Sequence, residues 1–152
     1  MLPLQELSDR VEIQDLLARY SFAIDDKDWN ALDRIFTPDA HIDYSAAGGA
    51  VGSLARIKAW LPDAMARFPR THHMVATTKL DLDGDRATSR TMLFNPMVYA
   101  APDGAEKTFF IGLFYRDVLV RTADGWRIHE RVEELTYTYD VPDMPPIPAM
   151  AD

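Results

Sequence analysis

The hydrophobic pattern of this chain changes period once, near residue 70, and that switch constrains the fold more than any other feature. After it, apolar and polar residues alternate over His72 to Leu82, Arg86 to Tyr99, Lys107 to Arg121 and Trp126 to Tyr139, the period of two that extended strands impose. Asp83-Gly84 and Asp124-Gly125 have tight-hairpin chemistry, and Pro102-Asp103-Gly104 is a longer turn, so the four segments read as an antiparallel meander. Strands longer than ten residues must twist and curl.

Before the switch the spacing is helical. Ile13, Leu16, Leu17, Tyr20 and Ile24 form one apolar stripe, with Ser8 as the expected cap. The polar run from Asp25 to Asp28 ends it. A second, shorter helix is expected with Trp29, Leu32, Ile35 and Phe36 on its inner face, ending before Pro38. A short strand over residues 40 to 44 follows. A third helix from about Ser53 to Phe68 carries Leu54, Ile57, Leu61 and Met65 inward, with Pro62 expected to kink or break it. Three N-terminal helices packed on a curled, mostly antiparallel sheet make a cone-shaped α+β domain, and the curl leaves one pocket between the layers. The domain is expected to span residues 1–140. A Pro-rich tail, 141–152, follows, in which Met144, Ile147 and Met150 offer apolar contacts for docking.

The 152 residues suffice for one such core without a staple. There is no cysteine, which removes disulfides, thiolate nucleophiles and Cys-based metal sites from consideration. A formal charge of −8, with 16 Lys and Arg scattered among 24 acids, argues against nucleic acid as a partner. No basic-then-apolar leader and no membrane-length apolar run is visible, so the expectation is a cytoplasmic protein away from membranes.

The histidines are badly placed for a metal. His72 and His73 are strand neighbours and point to opposite faces, while His41 and Asp43 share a face but supply only two ligands. AAGGAVGS, residues 46 to 53, lacks the lysine and preceding strand of a phosphate loop, and no G-x-S-x-G elbow is present. An Asp and a His remain. Asp25 lies at the C-terminal end of the first helix, the wrong end of the dipole for a carboxylate, and such a broken local rule points mildly to function. Read alone, Asp25 equally suits a solvated turn and His73 an ordinary strand histidine.

The run Ala23 to Tyr44, AIDDKDWNALDRIFTPDAHIDY, resembles the scytalone dehydratase branch of the SnoaL-like, nuclear-transport-factor-2-like families without a gap. Arg70-Thr71-His72-His73 resembles that branch's Arg-Thr-x-His, and Gly125-Trp126-Arg127-Ile128 its last-strand tryptophan motif. Related dehydrochlorinase lyases share the framework, their Asp, His and Arg falling on Asp25, His73 and Arg131. The resemblance implies that His73 is a general base oriented by Asp25 and that Tyr44 polarises a substrate carbonyl through water. It gives Arg131 the choice of stabilising developing negative charge or pairing with Glu133 or Asp117. Where the dehydratases hold substrate with polar groups, this chain has Ile24, Asn95 or Pro96, Leu113 and Tyr115. Tyr20, Phe22, Phe68 and Met97, with Phe94 and Phe110, complete the expected lining, suited to a flat ligand.

The implied activity is that of a cofactor-independent, metal-free lyase acting on a small hydroxylated aromatic or polycyclic substrate; elimination, retro-aldol cleavage and isomerisation stay open. A SnoaL-like isomerase or cyclase is the first alternative, and a non-catalytic binding or assembly subunit the second. Because helices can cover only one sheet face, a homo-oligomer, dimer or trimer, is expected through the other.

Overall fold

Helix α1, Leu4–Asp25, forms because its apolar residues share one stripe, and Ile13, Leu16, Leu17, Tyr20 and Ile24 are all buried. The computed structural model describes residues 1–143, so the tail's Met144, Ile147 and Met150 lie outside the described residues. The helix starts earlier than the Ser8 cap expected from sequence. Pro3 leads into it, its carbonyl accepting from Leu7 N at 3.0 Å, and Ser8 is an exposed interior residue. It ends in a Schellman turn: Lys27 N donates to Ile24 O and Asp28 N to Ala23 O, with Lys27 at φ 58°.

The expected middle helix does not form. Its residues give a 3₁₀ turn, Ala31–Arg34, and then strand β1, Phe36–Asp43. Sheet pairing overrides the local spacing, because Ile35 O accepts from Ile128 N at 2.9 Å and Phe36 pairs with Ile128. Pro38 is tolerated in the strand because the register slips between Phe36 and His41, where no ladder bond needs its missing N–H. Among the described residues two α-helices, not three, therefore pack on the sheet.

Strand β2, Val51–Ser53, leads into α2, Leu54–Ala66, whose N-cap Ser53 accepts from Arg56 N at 3.3 Å. The helix continues through Pro62, which lies on its exposed face. The expected strand from His72 divides into β3, Arg70–Thr71, and β4, Met74–Asp83. The interruption falls where His73 N leaves the ladder to reach α1. Strands β5 (Arg86–Ala100) and β6 (Glu106–Thr122) follow the sequence alternation closely, and β7 (Gly125–Tyr139) does so as far as Ile128.

The sheet order is β2-β1-β7-β6-β5-β3, with β4 also pairing β5; among the described residues only β1 and β7 run parallel. Along β5 the burial alternates residue by residue, Ala87, Ser89, Thr91, Leu93, Asn95 and Met97 facing the helices. Register shifts at Val75/Thr78, Gly112/Leu113 and Val118/Leu119 bend the long strands around α1. The Val118/Leu119 shift has a further effect. Trp126 and Ile128 face inward before it and Arg131 after it, so the extra residue changes which parity of β7 faces the core. Among the described residues no helix is long and apolar enough to cross a membrane.

Candidate active site

Asp25 is the last residue of α1, and the Schellman turn behind it fixes the direction of its side chain. A carboxylate there meets the negative end of the helix, so it needs donors from elsewhere. Three arrive from the end of β3 and the residues just after it. Thr71 Oγ1 donates to Asp25 Oδ1 at 2.7 Å, His73 Nδ1 contacts the same oxygen at 2.6 Å, and His73 N donates to Oδ2 at 2.8 Å. Burial pushes the Asp25 carboxyl up, but the hydrogen bonds from His73 and Thr71 outweigh it and hold the group below the usual carboxylate range. An ionised Asp25 can only accept, so His73 donates from Nδ1 and leaves Nε2 as the acceptor on the other side of the ring. The two side chains are 18% and 8% exposed, close enough to solvent for exchange and covered enough for the contact to be strong.

Nε2 is 3.3 Å from Asn95 Nδ2, and Asn95 Oδ1 is buried without a hydrogen-bond partner. The amide therefore touches the base and has an acceptor left over. Both residues line a cavity of about 380 Å³ between α1, α2 and the concave sheet face. Tyr20, Ile24, Tyr44, Phe68, Met97, Leu113 and Tyr115, all expected from sequence, line it as well. Tyr20 and Tyr44 join their hydroxyls at 2.7 Å, and burial raises both phenols above their ordinary range, so they remain neutral donors.

Three expected lining residues lie elsewhere. Phe22 is 68% exposed on the outer face of α1, outside the i, i+4 stripe that holds Tyr20 and Ile24. Phe94 and Phe110 stack on each other at 5.4 Å on the convex side of the sheet, because their strand parity is opposite to that of Asn95 and Ile111. Arg131 is fully buried yet absent from the cavity wall. Both ends of Asp117 hold it at 2.7 Å, and its guanidinium lies 4.1 Å and 4.0 Å from the Tyr20 and Tyr115 ring centres. It braces the tyrosines from behind, outside the cavity lining.

Glu133 is the residue the sequence reading passed over. It follows Arg131 by two on β7, so it shares the inward face, and it lines the cavity. Oε2 is shielded from solvent and has no hydrogen-bond partner. Burial pushes the carboxyl up to about 8 against the downward pull of Arg131. The i+2 spacing from Arg131 was the available signal; what hid it was the plausible pairing of Arg131 with Glu133, which Asp117 takes instead. Trp60 and Phe109 are further unforeseen wall residues. Among the described residues no three His, Asp or Glu side chains are grouped to hold a metal ion.

A larger hollow of about 770 Å³ between the start of α1 and the β4–β5 turn is more open and holds no such constellation. Its Asp9 and Arg121 satisfy each other at 2.6 and 2.7 Å, with the Trp126 indole N–H donating to Asp9 at 3.2 Å.

An uncharacterised protein of Mycobacterium tuberculosis is 50% identical over 133 residues, covering 88% of this chain and 89% of that one. A Kribbella flavida protein of known structure superposes with a TM-score of 0.81 at 29% identity, covering 89% of this chain and 95% of that one. Two structures share the fold at lower identity. One, described as a candidate scytalone dehydratase of Novosphingobium aromaticivorans, has a TM-score of 0.79 at 20% identity over 97% of both chains. The other, a hexachlorocyclohexane dehydrochlorinase, reaches 0.78 at 16%, covering 94% of this chain and 97% of that one. The SnoaL-like domain model matches residues 5–132, and with that span the chain belongs to the SnoaL-like domain family.

Proposed function

We propose that this protein is a cofactor-independent lyase that takes a carbon-bound proton from a small hydroxylated aromatic or polycyclic substrate. The observation that carries the reading is the 2.6 Å Asp25–His73 contact at the wall of a half-open, mostly apolar cavity. In this reading Nε2 of His73 removes the proton, and the Asp25 carboxylate stabilises the imidazolium that results. The Tyr20–Tyr44 hydroxyl pair donates toward the oxygen on which charge develops. Aromatic wall residues such as Tyr115, Phe68 and Phe109 favour a flat ligand, and about 380 Å³ accommodates one or two fused rings. Fold neighbours named as a dehydratase candidate and a dehydrochlorinase support an elimination as the reaction type.

The test is a panel of β-hydroxy ketones bearing one or two aromatic rings, followed by mass spectrometry for loss of water. Wild-type turnover that falls roughly 10²–10⁴-fold in His73→Ala and Asp25→Asn, with unchanged circular dichroism, is the expected result. Undiminished turnover in either variant, or no conversion of any panel member, rejects it. A product of unchanged mass points instead to an isomerase, the reading that an acid in the cavity wall favours.

A further inference from the structure

The cavity contains a second proton-transfer group that the Asp25–His73 pair does not use. Glu133 reaches it from β7, whereas His73 reaches it from the far edge of the sheet beyond β5, with β6 between. A sphere of 380 Å³ is about 9 Å across, so the two groups stand on different walls with room for a bicyclic ligand between them. One Glu133 oxygen is shielded from water and makes no hydrogen bond, a condition a native fold rarely leaves unexplained. The natural counter-ion makes no hydrogen bond to it: Arg131 gives Nε and one Nη to Asp117, and its other Nη is buried without a partner. The other groups that act on Glu133 do not neutralise it. The Ala47 N–H and Arg131 pull its carboxyl down, Asp43 pushes it up, and burial outweighs them all. Tyr20, Tyr44 and Tyr115 are neutral phenols, and Arg67 and Asp143 complete the charged residues in the wall.

We infer that Glu133 is a catalytic acid that protonates an oxygen leaving group, which makes the substrate a β-hydroxy carbonyl compound and not a halide. This rests on His73 being the base. His73 Nε2 takes the proton from the carbon beside the carbonyl, and that C–H pair becomes the new C=C bond. The C–O bond breaks, its electrons stay on oxygen, and the Glu133 proton joins that oxygen so that water departs. Proton return from the imidazolium to the carboxylate restores both groups. A chloride or carboxylate leaves without needing a proton, so Glu133 has work only when the departing group is a poor one. A carboxyl titrating at about 8 is mostly protonated at neutral pH and near the optimum for giving its proton away.

The experiment compares 3-hydroxy-1-tetralone with 3-acetoxy-1-tetralone, both of which yield fluorescent 1-naphthol on elimination, in wild type, Glu133→Gln and His73→Ala. The expected result is that Glu133→Gln lowers the ratio of hydroxy to acetoxy turnover by roughly 100-fold. Wild-type turnover of the hydroxy compound should also fall as pH rises through about 8, a limb absent from the variant. An unchanged ratio, or an alkaline limb that persists in Glu133→Gln, overturns the inference even if the variant folds poorly, because the limb is read on wild type as well. Failure of the underlying reading looks different: His73→Ala then keeps both activities. Wild type converting neither ketone rejects the base reading and this one together.

Discussion

At the scale of single residues, the fold treats two carboxyl groups in opposite ways, donors holding Asp25 below the usual carboxylate range and burial pushing Glu133 above it. Asp25 was conspicuous at the wrong end of a helix, and its three donors from Thr71 and His73 answer that anomaly. Only the resemblance brought His73 to it across 48 positions, since no periodicity links a helix end to a broken strand. Arg131 read as a site residue, yet the fold places it behind Tyr20 and Tyr115 with Asp117 as partner. Glu133 looked like an ordinary strand acid because burial is a tertiary property. Its consequence for stability has a definite sign. The folded chain holds the Glu133 proton up to about 8, whereas an unfolded carboxyl loses it near 4.5. Between those values the native state binds more protons, so wild-type stability declines as pH rises through that window. Urea denaturation at pH 5 and pH 9 should show Glu133→Gln gaining on wild type at the higher pH. A difference that stays constant between the two sets aside a buried, protonated Glu133.

At the scale of elements, turn chemistry was the most legible signal and helix patterning the least. The Asp-Gly turns bound β4 to β7 within a few residues, because a left-handed φ such as 60° at Gly84 favours few other residues. The stretch around Leu32 and Ile35 shows the limit: four inward apolar residues fit a helix or a 3₁₀ turn running into a strand, and pairing with Ile128 decides. Inward parity on β7 was also unreadable, since it depends on the register shift opposite Val118 and Leu119. Helix α2, by contrast, begins where the Ser53 signal put it. It carries Trp60, Leu61 and Met65 into the cavity wall, so its N-cap bears on the site as well as on stability. Ser53→Ala should lower unfolding stability by about 1 kcal/mol, and Ser53→Asp should retain most of it. Equal melting curves for Ser53→Ala and wild type mean that the exposed 3.3 Å cap contributes nothing measurable.

At the scale of the whole molecule, the question is what covers the convex face of the sheet. The sequence showed apolar residues on both parities near the strand ends, and the structure assigns them cleanly, with Leu93, Asn95 and Met97 inside and Met92 and Phe94 outside. The outward residues are neighbours across strands. Met74 pairs with Phe94, Phe94 with Gly112, Gly112 with Tyr137, and Phe110 with Tyr139. Gly112 leaves room for the Tyr137 ring to lie over the sheet, since a Cβ there would meet the ring at 2.2 Å. Met74, Phe94, Tyr137 and Tyr139 are 39–66% exposed, and with Phe110 and Gly112 they form an apolar patch over four strands bordered by the Arg90–Glu134–Arg116 ion pairs. Patches of this kind on soluble proteins mark interfaces. Two-fold pairing of the face would bring the same aromatic residues together from both copies, a self-complementary contact that needs no second surface. Multi-angle light scattering at micromolar concentration should therefore give a mass at least twice 17.2 kDa. Phe94→Glu combined with Tyr137→Glu places charges at its centre and should return the monomer mass with the fold intact by circular dichroism. A wild-type mass of 17.2 kDa at that concentration shows that the face needs no second copy, and the expectation fails.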